Sequence, residues 1–385
     1  ANEGNGNINE NGLNEKGNAD GKGKGNPHKS QQVAEGKVFD RFIQIWFENI
    51  DFDTAAADPN FAFFGSKGLT MTNSFAVTHP SEPNYVSVVG GDYFGIDSDD
   101  LFNLPRNIST VVDLLEDKNL SWGEYQQGMP STGFTGFNFT NRTTNDYVRK
   151  HNPLVIFESV NQHPERLANI KNFTLFEQDL NNNALPQWIF VTPNMLNDGH
   201  DTNVTFAGTW VRGWLEPLLG NSNFNGDKTL IMLTFDENGN DTTPNRIFTV
   251  ILGNALPTYL VGQTDDTFYT HYSTIATLEA NWDLHTLGRW DTGSNVFKFV
   301  AEQTGDVIRQ ADIRSLFLNE SYPGIFSELS KPAKQPIPNT KIVVNGRTVL
   351  PAIKKAWQSQ QRCTGYHGQL IPPTNQSRPI FPKNC

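Results

Sequence analysis

Apolar runs that stop abruptly at acids or amides constrain this chain more than any other feature. Val38-Phe39-Asp40-Arg41-Phe42-Ile43-Gln44-Ile45-Trp46-Phe47 ends at Glu48-Asn49, and Trp188-Ile189-Phe190-Val191 leads into Thr192-Pro193-Asn194. Leu230-Ile231-Met232-Leu233-Thr234-Phe235 leads into Asp236-Glu237-Asn238-Gly239, and Phe248-Thr249-Val250-Ile251-Leu252-Gly253 is a fourth run. Such near-continuous β-branched and aromatic stretches read as strands buried on both faces. Helical stretches lie between them at Thr110–Lys118, Val204–Leu219 and Ser273–Trp282. Strands alternating with helices predict an α/β fold, a three-layer α/β/α sandwich with a mainly parallel central sheet. In open sheets of this kind, ligands bind outside the carboxyl ends of the strands. Those ends are where this chain places its acids and amides.

Composition narrows the classes. At 385 residues the chain exceeds a single ordinary core, so one large domain with appendages is expected. A net charge of −11 argues against nucleic-acid binding, which needs a basic face. No apolar run approaches the roughly 18 to 20 residues of a membrane helix. Two Cys in so long a chain do not make a disulfide scaffold. Of 42 Asn, nine stand in N-x-Ser/Thr sequons: Asn107, Asn119, Asn138, Asn141, Asn172, Asn203, Asn240, Asn319 and Asn375. That number predicts a secreted, extracellular glycoprotein with N-linked glycans. Cys363 and Cys385 can then pair and pin the tail. The chain opens at Ala1 on a polar run without a signal-peptide pattern, as a processed product would. Residues 1–35, almost free of apolar side chains, read as a disordered or surface-lying leader. Residues 36–306 read as the catalytic domain, and 307–385 as a C-terminal extension with a small hairpin at Lys341–Val349. Nothing in the pattern sets an oligomeric state.

Each candidate residue has a bland reading beside the chemical one. Glu48-Asn49 can end a strand as a turn, or supply a carboxylate and an amide oxygen to a hard cation. Asp236-Glu237 can belong to a turn in which Gly239 provides positive φ. Adjacent acids after a buried strand otherwise repel unless a cation lies between them. Ser81, in Thr78-His79-Pro80-Ser81-Glu82-Pro83-Asn84-Tyr85, can cap a helix or act as a nucleophile whose phosphorylated form is held by helix N–H groups. Asn84 offers an amide to the same anion. His200, among acids in Asn194–Asp201, and His271, ahead of a helix, are the imidazoles in functional settings. His28, His151, His163, His285 and His367 are expected to be structural or solvated. Without H-x-x-x-H or paired Cys, a conventional zinc site is not expected.

In order, E-N, T-H-P-S-x-P-N-Y, N-D-x-H-D, D-E-N-G and H-Y-S resemble the phosphoesterase family of secreted acid phosphatases and phospholipases C, within the alkaline phosphatase superfamily. The likeness spans roughly residues 38–305 and is nearest to the phosphate-repressible acid phosphatases of filamentous fungi. The resemblance implies hydrolysis of small phosphate monoesters through a phosphoserine. By it, Ser81 would be the nucleophile, Asn84 would hold a phosphoryl oxygen, and His200 and His271 would face the phosphate and leaving group. Glu48, Asn49, Ser81, Asp236 and Glu237 would hold one divalent metal ion, Mg, Ca, Mn or Zn, and Asp198, His200 and Asp201 would supply part of any second site. A phospholipase C-like phosphodiesterase on the same fold is an alternative, as is a non-catalytic secreted binding glycoprotein. Specificity is expected in variable loops such as Gly123–Asn152.

Overall fold

The computed structural model describes residues 33–141, 145–326 and 335–373. The strands of the main sheet are β1 (Arg41–Phe47), β2 (Leu69–Phe75), β3 (Trp122–Gln126), β4 (Ile170–Asn172), β5 (Trp188–Thr192), β6 (Thr229–Phe235), β7 (Arg246–Leu252), β8 (Thr264–Asp265) and β9 (Tyr269–Thr270). They are ordered β8-β2-β7-β6-β1-β5-β3-β4, with β9 also paired to β2. Every pairing is parallel except those of β7, which runs antiparallel to both β2 and β6. The short link from β6 to β7 explains that exception, because a parallel return needs a crossover of a dozen or more residues.

The sheet is covered on both faces, as its apolar runs require. On β1, Phe42 and Trp46 join one core cluster while Ile43, Ile45 and Phe47 join the other. Leu230 and Met232 of β6 divide from Ile231, Leu233 and Phe235 in the same way. The helices Ser81–Gly90, Val111–Asp117 and His271–Trp282 pack on the first face, and Pro59–Lys67 and Val204–Leu219 on the second. The molecule is a three-layer α/β/α sandwich with a mainly parallel sheet.

From Ala34 onward the described residues form one compact unit. Beyond residue 306, Val349, Leu350, Ile353 and Trp357 join the first core cluster, and Tyr322 and Tyr366 donate hydrogen bonds to the buried Asp92. Val343–Val344 and Arg347–Thr348 form the hairpin read from the sequence. The Gly123–Asn152 stretch is not a loop throughout: Gly123–Gln126 belong to β3, buried in the sheet, because Trp122 and Tyr125 fill the two core layers. Most of the leader, Asn375 and Cys385, and with Cys385 the expected pairing to Cys363, lie outside the described residues.

Candidate active site at the carboxyl edge of the sheet

Parallel register brings Phe47 of β1 opposite Phe235 of β6, so Glu48-Asn49 and Asp236-Glu237 leave the sheet side by side. Asn49 takes a left-handed turn (φ 45°), which Asn tolerates better than most residues, and its N–H donates to Asp236 Oδ1 at 3.1 Å. Gly239 has no positive φ, contrary to the turn reading. It is needed for space, since a Cβ there would meet the Asn49 carbonyl oxygen at 2.8 Å.

Ser81 is the first residue of the buried helix Ser81–Gly90, whose N-cap is Pro80. Its hydroxyl turns to the strand ends, donating to Glu48 Oε2 at 2.9 Å and lying 3.4 Å from both Asn49 Oδ1 and Glu237 Oε1. Asn84, one turn on, is fully buried; its Nδ2 donates to the Thr78 and Pro80 carbonyls and to Glu237 Oε2 at 3.2 Å. Asn245 ties the same loop down, donating to the Thr78 carbonyl at 2.9 Å while accepting from the Asn238 N–H.

Three residues outside the expected one-metal set are drawn in. His151, read as structural or solvated, is buried, with Nε2 3.0 Å from Glu48 Oε1 and Nδ1 3.4 Å from Asp198 Oδ2. It reaches the site from the turn Arg149–His151 and stacks on Tyr85, whose hydroxyl donates to Glu48 Oε1 at 2.6 Å. Asp198, in the loop after β5, also accepts from the His200 N–H at 2.8 Å. His79 places Nδ1 2.8 Å from Glu237 Oε2. His79, beside Ser81, and Asp198, within N-D-x-H-D, had sequence signals; His151 had none.

The two expected imidazoles differ. His200 is partly exposed, with Nδ1 2.7 Å from Asp201 Oδ1. His271 is buried, stacks on Trp46, and has Nε2 2.6 Å from the Asp236 carbonyl oxygen. Burial pushes His271 down to about 4, so its ring is neutral and Nε2–H donates to that carbonyl.

The charges need a counterpart. Burial, then the charges of Glu48 and Glu237, push the Asp236 carboxyl well above its usual range, and burial pushes Glu237 up to about 7 against the pull of His79. Burial also acts upward on Glu48, but the charge and hydrogen bond of His151 prevail and hold it low. Turned to donate through Nδ2, the Asn49 amide reaches Glu48 Oε2 at 3.0 Å and Glu237 Oε1 at 3.1 Å; unturned, its Oδ1 faces the same two carboxylates. The unturned arrangement leaves the Asn49 oxygen facing two carboxylates, and Glu48, Asn49, Asp236, Glu237 and Ser81 Oγ are oxygen donors of the type a hard divalent cation takes. Among the described residues, the acids and imidazole whose ligand atoms all lie within 4.8 Å of one another are Glu48, His151 and Asp198. There both ring nitrogens already face carboxylates at hydrogen-bond or ion-pair distance, so the imidazole links two acids.

The phosphoesterase family model matches residues 57–285, more than half of the chain. A protein named acid phosphatase from Aspergillus fumigatus is 56% identical over 303 residues, covering 78% of this chain and 68% of its own. The phosphate-repressible acid phosphatase of Penicillium chrysogenum is 47% identical over 341 residues, covering 88% and 82%. A solved structure of an alkaline phosphatase superfamily protein from Vibrio parahaemolyticus aligns over 64% of this chain and 67% of its own, at 12% identity and a TM-score of 0.43. The family model over residues 57–285 and the two fungal sequence matches give one result: the chain belongs to the phosphoesterase family.

Proposed function

We propose that this protein is a secreted acid phosphatase that hydrolyses small phosphate monoesters through a phosphoserine on Ser81, assisted by one divalent cation. The Ser81 hydroxyl carries the reading. At the N-terminus of a buried helix, its bonds go to Glu48, Asn49 and Glu237 rather than to a helix cap. The names of the matched fungal relatives support acid phosphatase activity, and the sequons support secretion. No helix among the described residues is long and apolar enough to cross a membrane.

When bound by Glu48, Asn49, Ser81, Asp236 and Glu237, a divalent cation would stabilise the serine alkoxide and the charge of the phosphoryl oxygens. Asn84 holds a phosphoryl oxygen once its Nδ2 gives up the bond to Glu237 Oε2. Ser81 gives its hydroxyl proton to Glu48 Oε2, its hydrogen-bond acceptor, as Oγ attacks phosphorus in line; the ester P–O bond breaks, and the leaving alkoxide takes a proton from His200, the more exposed imidazole. Water then attacks phosphorus and gives a proton back to His200, the P–Oγ bond breaks, and Ser81 Oγ recovers its proton from Glu48. His271, whose Nε2–H is spent on the Asp236 carbonyl, fixes the loop of the acids rather than donating to the leaving group.

The test is Ser81→Ala on p-nitrophenyl phosphate, with acid quenching of the wild type to trap labelled Ser81. Turnover should vanish in the variant and label should appear on the wild type; wild-type turnover in Ser81→Ala would end this reading. Stripping divalent ions with a chelator should abolish activity, and adding them back one at a time should restore it and identify the ion. Faster cleavage of bis(p-nitrophenyl) phosphate than of the monoester would favour the phosphodiesterase alternative.

A further inference from the structure

The helix Val204–Leu219 opens on a sequon. Asn203 is its exposed N-cap, and its Oδ1 accepts the Phe206 N–H at 3.0 Å. This bond fixes the plane of the amide, while Nδ2 makes no hydrogen bond among the described residues. The same turn borders a groove of about 690 Å3 lined by Asn197, Asn203, Thr205, Phe206, Thr209 and Trp210. Phe206 is 45% exposed, and Trp210 is held by a parallel stack on Trp214 at 5.3 Å, so the groove has one free aromatic face and one rigid aromatic wall. The sequon asparagine and its threonine are thus both part of the groove.

N-glycosylation removes one of the two hydrogens on Nδ2 and leaves Oδ1 an acceptor. At Asn203 the helix cap survives it. Asn319 is the opposite case: both of its amide hydrogens are committed, to the Asp241 carbonyl at 2.6 Å and the Thr243 carbonyl at 2.7 Å. A sugar there would forfeit one of these bonds. A hexosamine ring has an apolar face that an aromatic ring can cover, and polar edges that Asn197 and Thr209 can meet.

We propose that Asn203 carries an N-linked glycan whose first N-acetylglucosamine lies in this groove against Phe206 and Trp210, and that Asn319 stays unmodified. The donor is a lipid-diphosphate-linked oligosaccharide. The bond from Nδ2 to the anomeric carbon forms, the anomeric C–O bond to the diphosphate breaks, the lipid diphosphate leaves, and Nδ2 loses a proton. The proposal does not depend on the catalytic reading, and phosphate release is not its readout.

The experiment secretes the full chain, behind a secretion leader, from a glycosylating yeast host and maps glycopeptides by mass spectrometry. The Asn203 peptide is expected to be modified and the Asn319 peptide bare. Endoglycosidase should trim the Asn203 glycan of the folded protein severalfold more slowly than it trims the same site in Phe206→Ala. Thr205→Ala, which removes the sequon but leaves the capping asparagine, should lose the glycan and lower Tm. A bare Asn203 or a glycosylated Asn319 overturns the proposal. Equal trimming rates in the wild type and Phe206→Ala overturn the seat in the groove.

Discussion

The two oxygens of Glu48 face different surroundings. Oε1 receives the Tyr85 hydroxyl and lies 3.0 Å from His151 Nε2, which leaves Oε2 for Ser81 and the proposed cation. Partners of this kind orient a ligating carboxylate, and losing one typically weakens metal affinity about 10- to 100-fold. His151→Gln should therefore weaken divalent-ion binding by that order, read by metal content after dialysis against a graded chelator series. Unchanged affinity would confine His151 to packing. At His200, removal of the proton donor should lower kcat by about 10²- to 10⁴-fold on esters with poor leaving groups. His200→Asn should show this loss, read as a larger drop in kcat on an alkyl phosphate than on p-nitrophenyl phosphate. A variant with wild-type kcat on both esters would move the acid role elsewhere.

At the scale of elements, the helix Val204–Leu219 sets two local rules against each other. Gly208 lies inside the helix, where Ala is favoured by about 1 kcal/mol. Its Cβ, however, would stand 2.4 Å from Asp58 Oδ1, which caps the neighbouring helix by accepting from the Asn60 and Phe61 N–H groups. Disturbing such a cap costs about 1 kcal/mol, and the close contact adds to that. Gly208→Ala should lower Tm, and a rise would mean that Asp58 yields without losing its cap. The strand ends follow a similar logic. β1 and β6 pair along their full length, so their last residues meet and the acids that follow converge without any sequence proximity.

Across the whole molecule, buried carboxyls tilt stability toward acid. Glu124 is fully buried in β3, distant in sequence from the proposed cation ligands, and burial pushes it up to about 8. The folded state therefore holds a proton that the unfolded chain releases above its ordinary carboxylate range. Stability from this group is complete below that range and declines until the pH passes about 8, with a slope near 1.4 kcal/mol per pH unit. Glu124→Gln should flatten the stability curve between about pH 5 and 8, measured by denaturant unfolding at several pH values. An unchanged slope would show that Glu124 is ionised in the fold. The net charge of −11 acts in the same direction, since it shrinks as carboxylates protonate and self-repulsion falls.

Much of the site could be read from the sequence because its signals are local. An apolar run that stops at Glu48-Asn49 or Asp236-Glu237 announces both a buried strand and the acids at its carboxyl end. Thr78-His79-Pro80-Ser81 announces a loop entering a helix. By itself the sequence determined the α/β layering and the identity of the acids, amides and serine at the strand and helix ends. It could not supply contacts made at a distance. His151 follows a turn with no periodic signal, and only packing against Tyr85 delivers it to Glu48. The antiparallel course of β7, the burial of Gly123–Gln126 and the exchange of Gly239 from a φ requirement to a spatial one are likewise decided by neighbours. Where the Ser81 hydroxyl points was decided by the tertiary structure, which brings it to Glu237, 156 positions away, because strand register and helix packing fix directions that composition and spacing leave free.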